Sequence, residues 1–230
     1  MDLRQRFETL TTAHIADACV RAQLPVRCLG LQTVTAGDKI AGRVLPARHA
    51  GSVDVFLEAF EGAAAGDVLV VDNGGRLDHA CVGDLIVQEA QTAGLAGVAI
   101  WGLHRDTVDV RAIGLPLFSL GSLPTGPLRG EDRHADALTS AQMGEWVVDS
   151  SDVVFGDEDG LVFVPADRIE DVLTLAEGIR DKERRQADRV REGRTLRSQF
   201  RFADFLAERA QTPSLTFREH LRRIGGAVEE

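Results

Sequence analysis

The sequence predicts an α/β fold joined by an antiparallel β element and followed by a helical extension. Between Asp67 and Leu120, short apolar runs alternate with amphipathic ones in the order strand, helix, strand, short helix, strand. Over 146–165, WVVDSSDVVFGDEDGLVFVP sets DEDG between two apolar runs, which is a hairpin signal. From residue 166 onward helical periodicity dominates.

Taken in order, residues 2–21 read as a helix, with Thr11 or Thr12 as N-cap before AHIADACVRA and Pro25 closing the segment. LQTVTAGDKIAGRVLPARHA (31–50) is rich in apolar and β-branched residues about a Gly-Asp turn and predicts two strands. SVDVFLEAFEGAA is helical, and Gly66-Asp67 introduces VLVVD, a short strand of the buried kind. Asn73-Gly74-Gly75 is the loop at its carboxyl end. A helix from about Gly83 to Thr92, the strand GVAIWG, the Arg105-Asp106 turn and the strand LPLFSLGS follow. Pro124, Gly126 and Pro127 mark a loop before the hairpin region, and residues 166–192 are helical. The tail carries Phe200, Phe202, Phe205, Leu206, Phe217 and Leu221 at roughly helical spacing, a face for packing on the core or on another subunit. We divide the chain into a core over 1–175 and a C-terminal helical extension over 176–230, with no internal repeat.

The totals exclude several functions. A net charge of −10 argues against nucleic-acid binding. The charge is uneven: residues 176–201 hold nine basic side chains against five acidic ones, which reads as a solvated helix with i,i+4 pairs or as a contact to an acidic sibling subunit. No apolar run approaches the roughly 20 residues of a membrane span. MDLRQRFETL lacks the apolar core of a signal peptide, so a cytoplasmic protein is expected. Cys19, Cys28 and Cys81 are odd in number and match no metal spacing, which predicts free thiols.

The segment richest in chemistry runs GDLIVQEAQTAGLAGVAIWGLHRDTVD, from Gly83 to Asp109. Asp84 follows a glycine at the start of an amphipathic run, where free helix N–H groups can hold a carboxylate. Gly83 lets a ligand approach the backbone. Twenty residues later the chain leaves an apolar strand at Arg105-Asp106, with Asp109 three places on. A guanidinium at a strand end can fork onto a carboxylate or carbonyl oxygen, or simply pair with Asp106 or Asp109. Asp106 and Asp109, one helical turn apart, offer oxygen ligands for Mg²⁺ or Mn²⁺, or form a surface acidic pair beside Arg111. His104 is a proton-donor candidate that alternation with Arg105 could point away. DEDG at 157–160 lacks the later ligands of a calcium loop and reads as a turn. Gly74-Gly75 is no phosphate loop, because no Gly-Lys-Ser or Gly-Lys-Thr follows.

The pattern Asp84, twenty residues, Arg105-Asp106, two residues, Asp109 resembles the signature of the 4-hydroxy-4-methyl-2-oxoglutarate aldolase / RraA-like family, the class II pyruvate aldolases. TTAHIADAC, GDVLVVDNGG, AGLAGVAIWG and VVFGDEDGLVFVP extend the likeness over roughly residues 8–185. The resemblance implies a β/β/α sandwich of the swivelling-domain type, and trimers or pairs of trimers with active sites between subunits. It implies Asp106 as the direct ligand of a divalent metal cation and Asp84 as the carboxylate holding its water. The backbone amides of Leu85 and Ile86, beside Gly83, would grip a pyruvate carboxylate, with Arg105 on the C2 oxygen. Glu183 matches a glutamate contributed by a neighbouring subunit. The family commonly has an Asp-Gly pair shortly before the Arg-Asp; here Trp101-Gly102-Leu103-His104 occupies that stretch, and the tail after about 195 is also unlike the family's short C-terminus.

The expected function is therefore a metal-dependent lyase that cleaves a 4-hydroxy-2-oxo acid to pyruvate, with oxaloacetate decarboxylation as a side activity. Lys39 and Lys182 are the only lysines, and neither is an obvious Schiff-base residue, which fits metal-dependent chemistry. The alternative is an RraA-type regulator that binds a ribonuclease without catalysis. A demethylmenaquinone methyltransferase finds no support, because no Gly-rich loop for a nucleotide cofactor stands between strand and helix.

Overall fold

VLVV is apolar on both faces, and with Asp72 it becomes the central strand β4 (Val68–Asp72), buried along its whole length. The computed structural model describes residues 3–130 and 132–225. It sets β4 in an eight-stranded sheet with β1 (Arg27–Leu29), β2 (Gln32–Thr33), β3 (Ile40–Arg48), β6 (Gly97–Trp101), β8 (Leu117–Ser119), β11 (Asp152–Asp157) and β12 (Gly160–Pro165). The order is β1-β12-β11-β3-β4-β6-β8-β2. The centre, β3-β4-β6-β8, is parallel, while β11 and β12 form the expected antiparallel hairpin closed between Asp157 and Gly160.

Alternation along the parallel strands sorts side chains between two cores. Leu69, Val71, Val98 and Ile100 pack with residues of α3 (Asp54–Glu61), α4 (Asp84–Thr92) and α5 (Thr107–Ile113). Val68, Val70, Ala99 and Phe118 pack with Met143 and Val148 from the hairpin of β9 (Ser140–Met143) and β10 (Trp146–Asp149). The layers are thus helix, sheet and hairpin, a β/β/α sandwich, with each fully buried side chain of this size contributing about 1.5–3 kcal/mol.

Two details depart from the sequence reading, and a third, the DEDG turn, forms as read and takes an added role. The N-terminal helix is two, α1 (Leu3–Phe7) and α2 (Thr12–Arg21), with Asp2 outside the described residues. The break falls at Thr11 because its hydroxyl accepts from the His14 N–H while the His14 ring accepts from the Thr11 N–H, forming a reciprocal cap. The two strands of 31–50 do not pair with each other: β2 lies at the sheet edge on β8, and β3 lies between β4 and β11. The DEDG turn is an anchor for α2, since the Asp157 carboxylate accepts from the Thr12 amide at 2.8 Å and the Thr12 hydroxyl at 2.6 Å.

The chain divides into two compact units, Met1–Leu173 and Thr174–Glu230. Helix α6 (Ile169–Arg191) begins in the first and continues into the second, where α7 (Leu196–Gln199), α8 (Phe202–Gln211) and α9 (Phe217–Ile224) follow. The second unit is organised by Phe200, Phe202, Phe205 and Phe217, whose rings stand 5.0–6.2 Å apart, with His220 against Phe205 and Phe217. Residues 226–230 of the tail lie outside the described residues. No helix among the described residues is long and apolar enough to cross a membrane.

Candidate functional site

Two very short strands, absent from the sequence reading, build the site. β5 (Ala80–Val82) and β7 (Leu103–His104) pair in parallel, Ala80 opposite Leu103 and Val82 opposite His104. The Arg105 amide donates to the Val82 carbonyl at 2.9 Å. Both strands end at the same level, so Gly83-Asp84 and Arg105-Asp106 leave them side by side. That is the physical meaning of the twenty-residue spacing: it is the path through α4 and β6 back to a parallel neighbour.

Gly83 is the N-cap of α4 and offers no side chain to the first-turn amides. Asp84, Leu85 and Ile86 occupy that turn, where amides lack intrahelical partners and the helix dipole favours an anion. A Cβ on Gly83 would lie 2.5 Å from Asp106 Oδ2 and 3.1 Å from Arg105 Nε. The glycine is thus the recess into which both side chains fit. Arg105 Nε sits 3.2 Å from Asp106 Oδ2, and both side chains are partly exposed. Asp106 is left-handed (φ 58°, ψ 39°) as N-cap of α5. This costs about 1 kcal/mol and is least unfavourable for Asp and Asn among non-glycine residues.

Gly83, Asp84, Leu85, Ile86 and Arg105 line one cavity of about 200 Å³, closed by His49, Gly51, Ser52, Val53, Ala80, Cys81 and Pro127. Cys81 is no nucleophile there, because burial pushes its thiol well above the ordinary value. His104 lies in the interior, with Nδ1 2.8 Å from Ser119 Oγ and Nε2 3.0 Å from Thr107 Oγ1. Burial lowers its pKa, so it is a neutral anchor of the Arg105-Asp106 turn. The Trp101 indole packs on Gly75, where a Cβ would meet it at 2.8 Å, and the Trp101 carbonyl accepts from the Asn73 and Gly75 amides. Asp109 is exposed in the first turn of α5 and outside the cavity lining. Glu183 is exposed on α6 in the second unit.

Asp84 and Asp106 supply hard oxygen donors. Among the described residues no group of three His, Cys, Asp or Glu side chains is arranged to hold a metal ion. A cation of the Mg²⁺ type keeps several waters and takes one or two carboxylates plus substrate oxygens, and Asp84 and Asp106 are the carboxylates that would hold one here.

Sequence reasoning passed over His49, Asn73 and His79. Asn73 Oδ1 is 2.9 Å from His49 Nδ1, and the His49 and His79 rings stand 6.2 Å apart. Asn73 and His49 follow the carboxyl ends of β4 and β3, the place where ligands of open α/β sheets bind, and that rule was the available signal.

Fold and site together define a β/β/α protein with a small cavity at the carboxyl ends of β5 and β7. The chain belongs to the RraA-like family (Aldolase/RraA), whose model matches residues 12–163. It is similar to the protein DlpA of Legionella pneumophila, 26% identical over 209 residues, which is 85% of this chain and 32% of that one; the chain therefore spans about a third of that relative's length. It is also similar to the 4-hydroxy-4-methyl-2-oxoglutarate aldolase of Thermus thermophilus, 32% identical over 127 residues, 55% of this chain and 76% of that one. Among solved structures, RraAS2 of Streptomyces coelicolor, described as an unusual member of the RNase ES inhibitor RraA protein family, superposes with a TM-score of 0.70 at 23% identity, covering 81% of this chain and 97% of that one. At that identity the likeness is one of fold.

Proposed function

We propose that the protein is a divalent-metal-dependent lyase that cleaves a 4-hydroxy-2-oxo acid, of the 4-hydroxy-4-methyl-2-oxoglutarate type, and releases pyruvate. The observation that supports this reading is the pairing of β5 with β7, which sets the first turn of α4, with the Asp84 carboxylate, and the Arg105 guanidinium on one small cavity, Asp106 being paired to that guanidinium.

In this reading the substrate carboxylate lies on the first-turn amides of Leu85 and Ile86. Arg105 donates to the C2 oxygen. Asp84 orients a water that takes the proton from the C4 hydroxyl. As that proton leaves, C4 becomes a carbonyl, the C3–C4 bond breaks, and its electron pair moves into an enolate whose oxygen faces Arg105. A cation held by Asp106, with Asp84 on its water, would add positive charge at the same oxygen, and such stabilisation is usually the largest catalytic term. Protonation at C3 completes pyruvate. Oxaloacetate decarboxylation passes through the same enolate and is expected as a side activity. We further propose that the site is completed between subunits of a trimer or a pair of trimers, with Glu183 of a neighbouring copy near the water.

The test is pyruvate release from 4-hydroxy-4-methyl-2-oxoglutarate and from oxaloacetate, with Mg²⁺, with Mn²⁺ and with chelator, for wild type and Asp106→Ala. Turnover that needs metal and is lost in the variant is the expected result. Folded protein with no turnover of either substrate would overturn the lyase reading and leave ribonuclease regulation by protein contact as the reading to pursue.

A further inference from the structure

Two glycines leave room for the Arg105 side chain. Gly83 does so at its base, beside Cγ and Nε. Gly126 does so at its tip: a Cβ there would lie 2.9 Å from Nη1 and 3.8 Å from Cζ. Apart from the two chain neighbours of Gly126, no other atom of the described residues stands within 4 Å of that position. Gly126 has no left-handed φ. Space for Arg105, and not backbone conformation, is therefore what a side chain at 126 would take away.

The segment that carries Gly126 is tied to both short strands of the site. On the β7 side, the His104 amide donates to the Gly121 carbonyl at 3.1 Å, and the Leu123 amide donates to the His104 carbonyl at 2.9 Å. On the β5 side, the Ala80 amide donates to the Thr125 carbonyl at 2.8 Å. Pro127, the next residue, lines the cavity together with Arg105. The chain then reaches Gly51, another lining residue, where a Cβ would lie 2.5 Å from the Arg129 carbonyl oxygen. Main-chain bonds thus hold Gly126 in place. Arg105 is the softer partner: its side chain is 49% exposed, and its ion pair among the described residues is Nε with Asp106. A long exposed side chain has many rotamers, and contact with fixed backbone narrows them.

Resting on the reading of Arg105 as the donor to the C2 oxygen, we propose that Gly126 is a positioning residue for that guanidinium. It sets where the donor atoms stand on the cavity, and a side chain at 126 pushes them aside. The fold tolerates such a change, because the atom in the way is the far end of a flexible side chain. Ligand binding does not. Ordinary contact begins at 3.4 Å, so a methyl at 2.9 Å makes Nη1 retreat by roughly 0.5 Å. Misplacement by about 1 Å can cost about 100-fold, and half of that corresponds to roughly tenfold.

The test is a double-mutant cycle on the full chain: wild type, Gly126→Ala, Arg105→Lys and the double variant. Two quantities are read, the calorimetric Kd for oxalate with Mg²⁺ present and the urea midpoint. Oxalate carries oxygens on adjacent carbons, as the enolate of pyruvate does, and has no C4 to lose. Gly126→Ala is expected to weaken oxalate binding roughly tenfold and to leave the urea midpoint unchanged. Lysine keeps the charge but ends short of the Nη1 position, so in the Arg105→Lys background the same substitution should alter binding less than twofold. Binding by Gly126→Ala within twofold of wild type, an equal loss in both backgrounds, or no oxalate binding by wild type would overturn the role. If Gly126→Ala fails to fold, the double variant decides: a folded one places the clash on Arg105, and an unfolded one overturns the proposal. An Arg105-dependent loss of oxalate binding in a protein that releases no pyruvate would retain the positioning role and remove the lyase; pyruvate release that is the same in Gly126→Ala and wild type would do the reverse.

Discussion

Gly83→Ala tests the geometry of the site more sharply than removal of a charged residue. The backbone at Gly83 (φ −126°, ψ −171°) is ordinary extended chain, so alanine brings no conformational strain. The new methyl would stand 2.5 Å from Asp106 Oδ2, 3.1 Å from Arg105 Nε and 3.3 Å from Arg105 Cγ. Ordinary contact begins at 3.4 Å, so the carboxylate must retreat by roughly 0.9 Å and the guanidinium by less. Misplacement of a catalytic group by about 1 Å can cost about 100-fold in rate. Replacing glycine by alanine at an N-cap costs about 1 kcal/mol of stability, a fall of roughly 2–4 °C in Tm for a chain of this size. The expected result is thus a folded protein whose kcat/KM for pyruvate release falls by one to two orders of magnitude. Activity within threefold of wild type, with the small Tm change seen, would refute the packing of Asp106 and Arg105 into the glycine recess.

Three further outcomes follow from the structure. Asp157→Ala removes both acceptors from Thr12, leaves buried donors unpaired, and should cost about 2–3 kcal/mol, read as a lower urea midpoint with unchanged slope. His104 is held neutral, with a pKa below its ordinary 6.5, so the unfolded chain binds more protons as pH falls through that value. Stability should therefore drop below about pH 6.5 in wild type, and His104→Gln should flatten that part of the urea-midpoint profile; an unchanged profile would remove His104 from the linkage. Cys28 is exposed, while Cys19 and Cys81 are buried, with Cys19 pushed up to about 11. A thiol reagent at pH 8 should consume one thiol promptly and all three after denaturation; prompt reaction of three would contradict the burial of Cys81 beside the cavity.

Much of this molecule was legible in one dimension. Period-two and apolar runs located β4, β6, β8, β11 and β12, and amphipathic spacing located α3, α4 and the long α6, because those signals are carried by residues a few places apart. The spacing of Gly83-Asp84 and Arg105-Asp106, read with the resemblance, named the family, which the comparisons show. Other features were decided only by tertiary structure. β5 and β7 have three and two residues, too few for any periodicity, and exist because they pair with each other. The left-handed turn at Asp106 and the recess at Gly83 arise when two segments twenty residues apart are pressed together. The grouping of His49, Asn73 and His79 depends on strand register, since sliding β3 by one residue against β4 would point His49 elsewhere. Local pattern determines which elements form; which side chains meet at their ends is set by non-local pairing, and the chemistry proposed for this protein lies at those ends.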